Sequence, residues 1–287
     1  MSKSIFLFLL LWMTFINSAC SQSNSGFQTL TLESGNQNRP FLLYIPSTVA
    51  EDSVPLVFSF HGSGGVPQNQ VDISNFSALA DKHGFAVVFP AGAFTNSVSE
   101  RSWNANIEAG VNDVQFVRDI IEDVAARINL DRNRIYTSGY SGGARMSSRL
   151  ACELSDVIAA AAPVAGLQYP DDCVPKLAVP IIAFHALDDQ VNQYSVSENS
   201  RAYWRMGVET ALDKWRQANG CSLRNSYQSL SPEITLFQWD DCDNGAQINF
   251  YQLTSGDHTW PGANQPGANQ DIDASALIWE FFSSHHR

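Results

Sequence analysis

Apolar segments of β type alternate with segments of helical periodicity along almost the whole chain after residue 26. Apolar segments of β type include VPLVFSF (54–60), AVVFP (86–90), VPIIAFH (179–185) and INFYQL (248–253). Such runs are typical of strands that are covered on both faces. Strands that alternate with helices predict a mostly parallel central sheet with helices on both faces. We therefore predict an α/β fold with a single domain over residues 27–287.

Weaker patterns complete the predicted order of elements. TLTLES and FLLYIP predict a leading hairpin, and RIYTS and IAAAAPVAG predict two more strands. Helical periodicity predicts five helices, over ISNFSALADKHGF, residues 112–128, ARMSSRLACEL, RMGVETALDKWRQANG and ASALIWEFF. The second of these helices begins behind Asn112, a residue type that is suited to a helix N-cap.

The charge balance argues against several classes of partner. The chain carries 17 Lys and Arg against 29 Asp and Glu, a formal net charge of -12, and no cluster of Lys or Arg stands out. Such a chain repels a phosphate backbone or an anionic membrane surface, so we expect no nucleic-acid partner. A hydrophobic content of 44% with only 16% charged residues predicts a globular chain with an ample core.

The N-terminal segment resembles an export signal. Lys3 precedes the apolar run IFLFLLLWMTFI (5–16), and small residues and a Ser-rich stretch follow it. A run of this length, at about 1.5 Å per residue, cannot cross a hydrocarbon core of about 30 Å, so a permanent transmembrane helix is not expected. We predict a signal peptide over residues 1–19 and a polar linker over residues 20–26.

Two versions of this export signal stay open. NSAC-S resembles a bacterial lipoprotein signal, in which Cys20 carries the lipid, although Asn17 departs from the usual leucine of that pattern. The alternative is plain secretion. The protein is therefore expected outside the cell or anchored to the outer membrane, and a lipid at Cys20 is the only membrane contact that we expect.

Four cysteines remain when Cys20 is set aside. They are Cys152, Cys173, Cys221 and Cys242, which form two sequential pairs, each 21 positions apart. An even number of cysteines in an exported protein predicts disulfides. We predict Cys152–Cys173 and Cys221–Cys242, although four cysteines allow three connectivities. The close C-x-x-C spacing of a zinc site is missing, so no metal is expected.

One serine is enclosed by glycines between a β-type and a helix-type segment. Gly139-Tyr140-Ser141-Gly142-Gly143 matches G-x-S-x-G, a sharp strand-to-helix turn that presents a serine hydroxyl above a sheet. The glycines two before and two after the serine allow strand and helix to approach without a Cβ collision. A noncatalytic turn is the alternative. The strand before the motif and the helix after it favour Ser141 as a nucleophile.

A serine nucleophile needs a base, and the base needs an orienting carboxylate. On such a sheet the chain order is Ser, then Asp or Glu, then His. Downstream of the serine, His285 and His286 lie at the C-terminus, and His185 closes a strand before an acidic loop. His258 follows strand INFYQL in the turn-like SGDHTWPG. We predict His258 as the base and His185 as a packed neighbour.

The acid should follow the strand that precedes this one. The segment FHALDDQVNQY offers Asp188 and Asp189 there. Adjacent residues on a loop point in different directions, so spacing alone does not separate these two carboxylates.

An acyl-transfer site also needs backbone N–H groups that stabilise the oxyanion. Gly142, directly after the nucleophile, provides one. The glycine-rich loop HGSGG (61–65) follows an early strand and should provide the other. We predict Ser63 N–H as that donor, with Gly64 as the alternative. His61 precedes the nucleophile, at the base of the loop, and is predicted to have a structural role.

From about residue 39 to its end the chain resembles the secreted esterase family of polyhydroxybutyrate depolymerases and feruloyl or acetyl-xylan esterases, which has the α/β-hydrolase fold. The resemblance rests on RPFLLYIP, the HG loop, WN (103–104), NDVQFVRDII, GYSGGARM, APVAG, FHALDDQVNQY, the NGC segment and HTWPG. In that family the acid loop reads H-G-x-x-D-x-x-V-P-Y, which places the acid at Asp189. HTWPG likewise places the base at His258.

The chain departs from the family pattern at several positions. Ala186 replaces the glycine of the acid loop and Gln193 replaces its proline, and S-G-G-A stands where many relatives have S-N-G-G. The G-x-S-x-G spacing is intact. Paired cysteines that flank the nucleophile helix in relatives support the Cys152–Cys173 pairing.

The resemblance implies a serine carboxylic-ester hydrolase that works through an acyl-enzyme without a metal or an organic cofactor. The implied substrate is a polyester oligomer or a plant cell-wall acyl ester. Trp103 and Trp260 are candidates for stacking an aromatic acyl group or a sugar, with core packing as the alternative. Two other functions stay open: a serine peptidase of the same fold, and a noncatalytic binding protein on a hydrolase fold.

Overall fold

The structure is a computed structural model that describes residues 25–49, 53–94, 101–105, 111–223 and 226–287. The predicted signal peptide, Cys20 and residues 20–24 of the predicted linker lie outside these ranges.

A mixed sheet of ten strands forms the centre of the molecule. In chain order the strands are β1 (Gly26–Ser34), β2 (Gln37–Ile45), β3 (Val54–Phe60), β4 (Ala86–Pro90), β5 (Ala93–Phe94), β6 (Arg101–Ser102), β7 (Leu130–Tyr140), β8 (Ala160–Val164), β9 (Ile181–Ala186), β10 (Ser226–Ser231), β11 (Ile234–Trp239) and β12 (Ile248–Leu253). The spatial order in the large sheet is β1-β2-β4-β3-β7-β8-β9-β12-β11-β10, and β5 pairs with β6 separately. In this spatial order the six neighbouring strands β4-β3-β7-β8-β9-β12 run parallel to one another. The antiparallel strands β2 and β1 extend one edge of this parallel part, and β11 and β10 extend the other.

Helices cover both faces of this sheet. They are α1 (Pro67–Ser74), α2 (Phe76–His83), α3 (Asp113–Ala125), α4 (Gly142–Glu153), α5 (Val208–Ala218) and α6 (Ala274–Ser283). Side chains of α3, α4 and α5 pack in one hydrophobic cluster, and those of α1, α2 and α6 pack in the other. Successive side chains of strand β3 alternate between the two clusters. Leu56 and Phe58 lie in the first, Val57 lies in the second, and all three are fully buried. No helix in the described ranges is long and apolar enough to cross a membrane.

The α/β prediction is confirmed, and several elements have the bounds that the sequence predicts. Strands β3, β4 and β12 coincide with VPLVFSF, AVVFP and INFYQL. The predicted helix N-cap is also present, because the Asn112 side chain accepts a hydrogen bond from the N–H of Gln115 (2.9 Å).

The helix predicted over ISNFSALADKHGF (73–85) contains the last two residues of α1 and the whole of α2. Asn75 adopts a left-handed backbone with φ of +50°, so α1 ends before it and α2 begins after it. Asparagine tolerates this conformation better than most residues. The first helix also begins earlier than predicted, because Pro67 stands at its first position, where the missing N–H costs no hydrogen bond.

Strands β10 and β11 were not predicted from the sequence. Most residues of β10, SYQSLS, are exposed, since this strand lies at the edge of the sheet and packs against little. An exposed edge strand carries no apolar run, and the pattern that identifies the central strands is therefore missing.

Both predicted disulfides are present. Cys152 in α4 is bonded to Cys173 in the loop after β8, and Cys221 after α5 is bonded to Cys242 after β11. The first bond ties the helix behind the serine turn to a loop, and the second ties α5 to the antiparallel edge. On the chain-entropy model, loops of this size contribute about 3 kcal/mol each to stability.

Candidate active site

Ser141 occupies the turn between β7 and α4 with an unusual backbone conformation. Its φ of +55° and ψ of -114° lie in a region that residues other than glycine rarely adopt. The Ser141 N–H donates to the Val164 carbonyl of β8 (3.0 Å), and its carbonyl accepts from the Arg145 N–H (3.2 Å). These bonds fix the strained residue between sheet and helix. The turn presents the serine at the carboxyl end of β7, as the sequence predicts.

Gly139 and Gly143 are required by close backbone packing at this turn. A Cβ on Gly139 would overlap the Gly143 carbonyl and lie 3.0 Å from the Ala144 nitrogen. A Cβ on Gly143 would overlap the Phe60 carbonyl and lie 2.7 Å from the His61 carbonyl oxygen, both at the end of β3. Larger residues would separate α4 from the sheet. The G-x-S-x-G spacing therefore follows from the approach of helix and strands.

Three side chains that are distant in sequence meet at this edge of the sheet. His258 Nε2 lies 2.8 Å from Ser141 Oγ, and His258 Nδ1 lies 2.7 Å from Asp189 Oδ2. The Asp189 side chain is fully buried, and that of His258 is largely buried. Because an ionised carboxylate only accepts hydrogen bonds, Nδ1 donates to Asp189 and Nε2 is left to accept the serine proton. This is the tautomer that a general base for Ser141 needs.

The two adjacent carboxylates of the acid loop have different partners. Asp189 directs Oδ2 at His258, while its Oδ1 accepts two backbone N–H groups of its own loop, both at 2.8 Å. Asp188 instead accepts from the backbone N–H of Asp257 (2.8 Å), next to the histidine. The loop after β9 therefore brings Asp189 into the site and leaves Asp188 to hold the histidine loop.

His185 lies beside this carboxylate without facing the serine. Its Nε2–H donates to the Asn192 carbonyl (2.8 Å), and the same nitrogen is 3.4 Å from Asp189 Oδ2. Burial lowers the pKa of His185, although the Asp189 charge opposes this. A neutral, buried imidazole that packs 5.9 Å from the Trp204 ring matches the packed neighbour that we predict from the sequence.

Tyr140 holds the histidine loop and was not identified from the sequence. Its hydroxyl donates to the backbone carbonyl of His258 (2.5 Å), and the two rings lie 5.1 Å apart. Burial raises the pKa of Tyr140, and the charges of Asp189 and Asp257 raise it further, so the hydroxyl remains a donor. Because Tyr140 occupies a variable position of G-x-S-x-G, the motif gives no indication of this contact.

The glycine-rich loop after β3 packs directly against the nucleophile. A Cβ on Gly62 would lie 3.4 Å from Ser141 Cβ, and a Cβ on Gly142 would lie 3.0 Å from the Ser63 nitrogen. The Gly64 N–H, the alternative oxyanion donor, is engaged by the Arg101 carbonyl (2.8 Å). Among the described residues, none accepts the Ser63 N–H. This geometry favours Ser63 over Gly64 as the second backbone donor beside Gly142.

His61 anchors the base of this loop. Its Nδ1–H donates to the Gly62 carbonyl (2.7 Å), and its Nε2 accepts the Gly92 N–H (3.0 Å). This pair of bonds requires the neutral imidazole. Burial lowers the pKa of His61 to about 4; the Gly62 bond opposes that shift, and the positive charge of Arg101 adds to it. His61 is therefore a structural residue, as the sequence predicts.

This depressed pKa predicts an acid-dependent loss of stability. Between pH 6.5 and about 4 the unfolded state binds a proton at residue 61 that the folded state does not bind, so folding is favoured above this window. Stability should fall by up to about 3 kcal/mol as the pH falls through it. Thermal unfolding from pH 7 to pH 4 should show a shallower decline for His61→Gln than for the wild type. Parallel declines would contradict this assignment.

The two tryptophans that are candidates for substrate stacking lie in the interior. Trp103 is 8% exposed and donates its indole N–H to the His61 carbonyl (2.8 Å). Trp260 is 1% exposed, meets Phe76 edge to face at 6.0 Å, and donates to Ser275 Oγ (3.0 Å). Trp103 thus supports the glycine-rich loop, and Trp260 fastens the segment after His258 to α6. These contacts favour the packing alternative for both.

The ten-stranded sheet with its covering helices and the strained serine turn between β7 and α4 define a class, the α/β-hydrolase fold. More specifically, the chain belongs to the esterase PHB depolymerase family, whose sequence profile matches residues 40–213.

Individual relatives agree with this family assignment, and a solved structure shares the fold. The chain is 29% identical over 246 residues to a bifunctional acetylxylan esterase/xylanase of Neocallimastix patriciarum, covering 85% of this chain and 33% of the relative. It is 28% identical over 231 residues to feruloyl esterase B of Piromyces equi, covering 77% and 42%. This chain therefore spans less than half the length of either relative. An acetyl xylan esterase from Aspergillus awamori shares the fold, with a TM-score of 0.65 at 14% identity over 90% of this chain and 99% of that chain.

Proposed function

We propose that the protein is a serine carboxylic-ester hydrolase. The observation that carries the proposal is the continuous hydrogen-bonded path from Ser141 Oγ through His258 to Asp189, with distances of 2.8 and 2.7 Å. Membership of the esterase PHB depolymerase family supports it.

The reaction has two steps. The Ser141 hydroxyl oxygen attacks the ester carbonyl carbon and its proton passes to His258 Nε2, while the carbonyl electron pair moves to oxygen. The N–H groups of Ser63 and Gly142 stabilise this oxyanion. Its collapse breaks the bond to the alcohol, which leaves with the proton from Nε2. Water then attacks the acyl-Ser141 ester in the same way, and the acid and the free serine are released.

The substrate class is inferred from the relatives. Two of them are named as an acetylxylan esterase and a feruloyl esterase, and the family description includes PHB depolymerase. We propose an acyl ester of a plant cell wall or a polyester oligomer as the substrate. Two disulfides support a location outside the cytosol, and the N-terminal segment supports secretion or a lipid anchor at Cys20.

A comparison of ester and amide substrates distinguishes an esterase from a serine peptidase and from a noncatalytic binding protein. Purified protein should hydrolyse p-nitrophenyl acetate and at least one of methyl ferulate, acetyl-xylan and poly-3-hydroxybutyrate, and it should leave peptide p-nitroanilides intact. Anilide hydrolysis with a kcat/KM at or above that of the ester would identify a peptidase. No turnover of any ester would instead favour a binding protein on this fold.

A further inference from the structure

Arg145, in the first turns of α4, is a buried cation without a carboxylate partner in the part of the chain that the structure describes. The residue is 9% exposed. Its guanidinium carbon lies 4.1 Å from the centroid of the Tyr203 ring, and its Nη2 donates to Ser63 Oγ at 3.3 Å. The buried Nε has no hydrogen-bond acceptor among the described residues. This environment lowers the pKa of Arg145 because burial disfavours the charge.

The other buried arginines of the described ranges are compensated. Arg39 pairs with Asp113 at 2.7 Å, and Arg149 pairs with Glu153 at 2.5 Å. Arg145 also lies near the N-terminus of α4, where the helix dipole disfavours a positive charge. An uncompensated charge costs free energy both through its burial and through this position. The buried position of the Arg145 charge is explained if a negative charge develops near it during the reaction, because the two charges then attract each other.

The Ser63 hydroxyl connects this charge to the reacting centre. A Cβ on Gly142 would overlap Ser63 Oγ, so the hydroxyl lies against the residue whose N–H is the other proposed oxyanion donor. Since Oγ accepts from Arg145, its own proton is free to be donated. In the described structure the one other hydroxyl that it meets is Ser102 Oγ, at a long 3.5 Å. The proton can therefore turn toward a developing negative charge.

We propose that the Ser63 hydroxyl is a third donor to the oxyanion, and that Arg145 is a positioning residue that holds and polarises this hydroxyl. The proposal rests on the proposed esterase function and concerns the same site. No bond to Ser63 forms or breaks. As the ester carbonyl oxygen gains charge, Ser63 O–H donates to it, and the Arg145 N–H behind Oγ strengthens that donor.

Two serine variants test the hydroxyl. Ser63→Ala keeps the backbone N–H and removes only the hydroxyl, so kcat for p-nitrophenyl acetate should fall about 100-fold with KM little changed. Ser102→Ala removes the other hydroxyl near Ser63 Oγ and should leave kcat within about threefold of wild type. An unchanged kcat in Ser63→Ala, or equal losses in both variants, would overturn the assignment.

A double-mutant cycle tests whether Arg145 acts through that hydroxyl. Arg145→Met should lower kcat by about tenfold or more, and Arg145→Lys should recover part of this loss. In the Ser63→Ala background, Arg145→Met should add less than about threefold, because its target is gone. Losses that multiply, or a rise in KM alone, would show that Arg145 acts elsewhere.

Thermal unfolding separates this role from a structural one. Replacement of an uncompensated buried charge by a residue of similar volume is often neutral or stabilising, so Arg145→Met should unfold within about 3 °C of wild type or above it. A stability loss that accounts for the lost activity would overturn the positioning role. Wild-type protein that turns over no ester would refute the proposed function instead, so the two failures are distinguishable.

Discussion

Replacement of Ser141 by alanine is expected to lower kcat for p-nitrophenyl acetate by about 10⁴- to 10⁶-fold. The variant loses the Oγ atom, which lies 2.8 Å from His258 Nε2 and which the turn presents at the carboxyl end of β7. The backbone bonds of residue 141 to the carbonyl of Val164 and to the N–H of Arg145 do not involve the side chain. The melting temperature should therefore stay close to that of the wild type.

Combination with a second substitution shows whether serine and histidine act as one unit. His258→Ala alone should cause a loss of similar size, and Ser141→Ala/His258→Ala should be no less active than the poorer single variant. The residual rate would come from the oxyanion donors. Losses that multiply in the double variant, or normal turnover in Ser141→Ala, would contradict the assignment of these residues.

The second large effect is expected at the acid. Asp189→Asn should lower kcat by about 10⁴-fold, because an amide at this place can donate to His258 Nδ1 and stabilise the wrong tautomer. The matched control is Asp188→Asn, one residue earlier, whose carboxylate accepts from the Asp257 N–H and does not touch the imidazole. It should lose less than about tenfold.

Measurement of kcat for Asp188→Asn and Asp189→Asn over pH 5–9 would test which of the two carboxylates is the acid. Comparable losses in Asp188→Asn and Asp189→Asn would mean that loop integrity, and not the contact to the imidazole, sets the rate. A larger loss at Asp188 would reverse the assignment of the acid.

The central part of the fold follows from local patterns in the sequence. Strands β3, β4 and β12 are buried on both faces, so their apolar runs coincide with their bounds. Strand β10, at one edge of the sheet, is mostly exposed and carries no apolar run, so its bounds cannot be predicted from such a pattern. The break between α1 and α2 depends on the left-handed backbone of Asn75. The hydrophobic periodicity of the sequence does not indicate the conformation of a single residue.

The candidate site shows the same division. The sequence prediction of Ser141 rests on a motif, and that of His258 rests on the chain order of the fold and on its place after strand INFYQL. Spacing does not separate Asp188 from Asp189, because the choice depends on the direction of two neighbouring side chains on a loop. Tyr140 and Arg145 remained unassigned, since their partners, the His258 carbonyl and Ser63 Oγ, are 118 and 82 positions away in sequence. Only the assembled sheet brings these groups together.

The most direct test of the central claim is the site of covalent labelling by a fluorophosphonate. The reagent should phosphonylate the wild-type protein once, and fragmentation of the tryptic peptide IYTSGYSGGAR (135–145) should place the adduct on Ser141 and on none of its other hydroxyls. The Ser141→Ala protein should stay unlabelled. An adduct on another residue, or ester turnover by a wild-type protein that takes up no label, would contradict the assignment of Ser141 as the nucleophile.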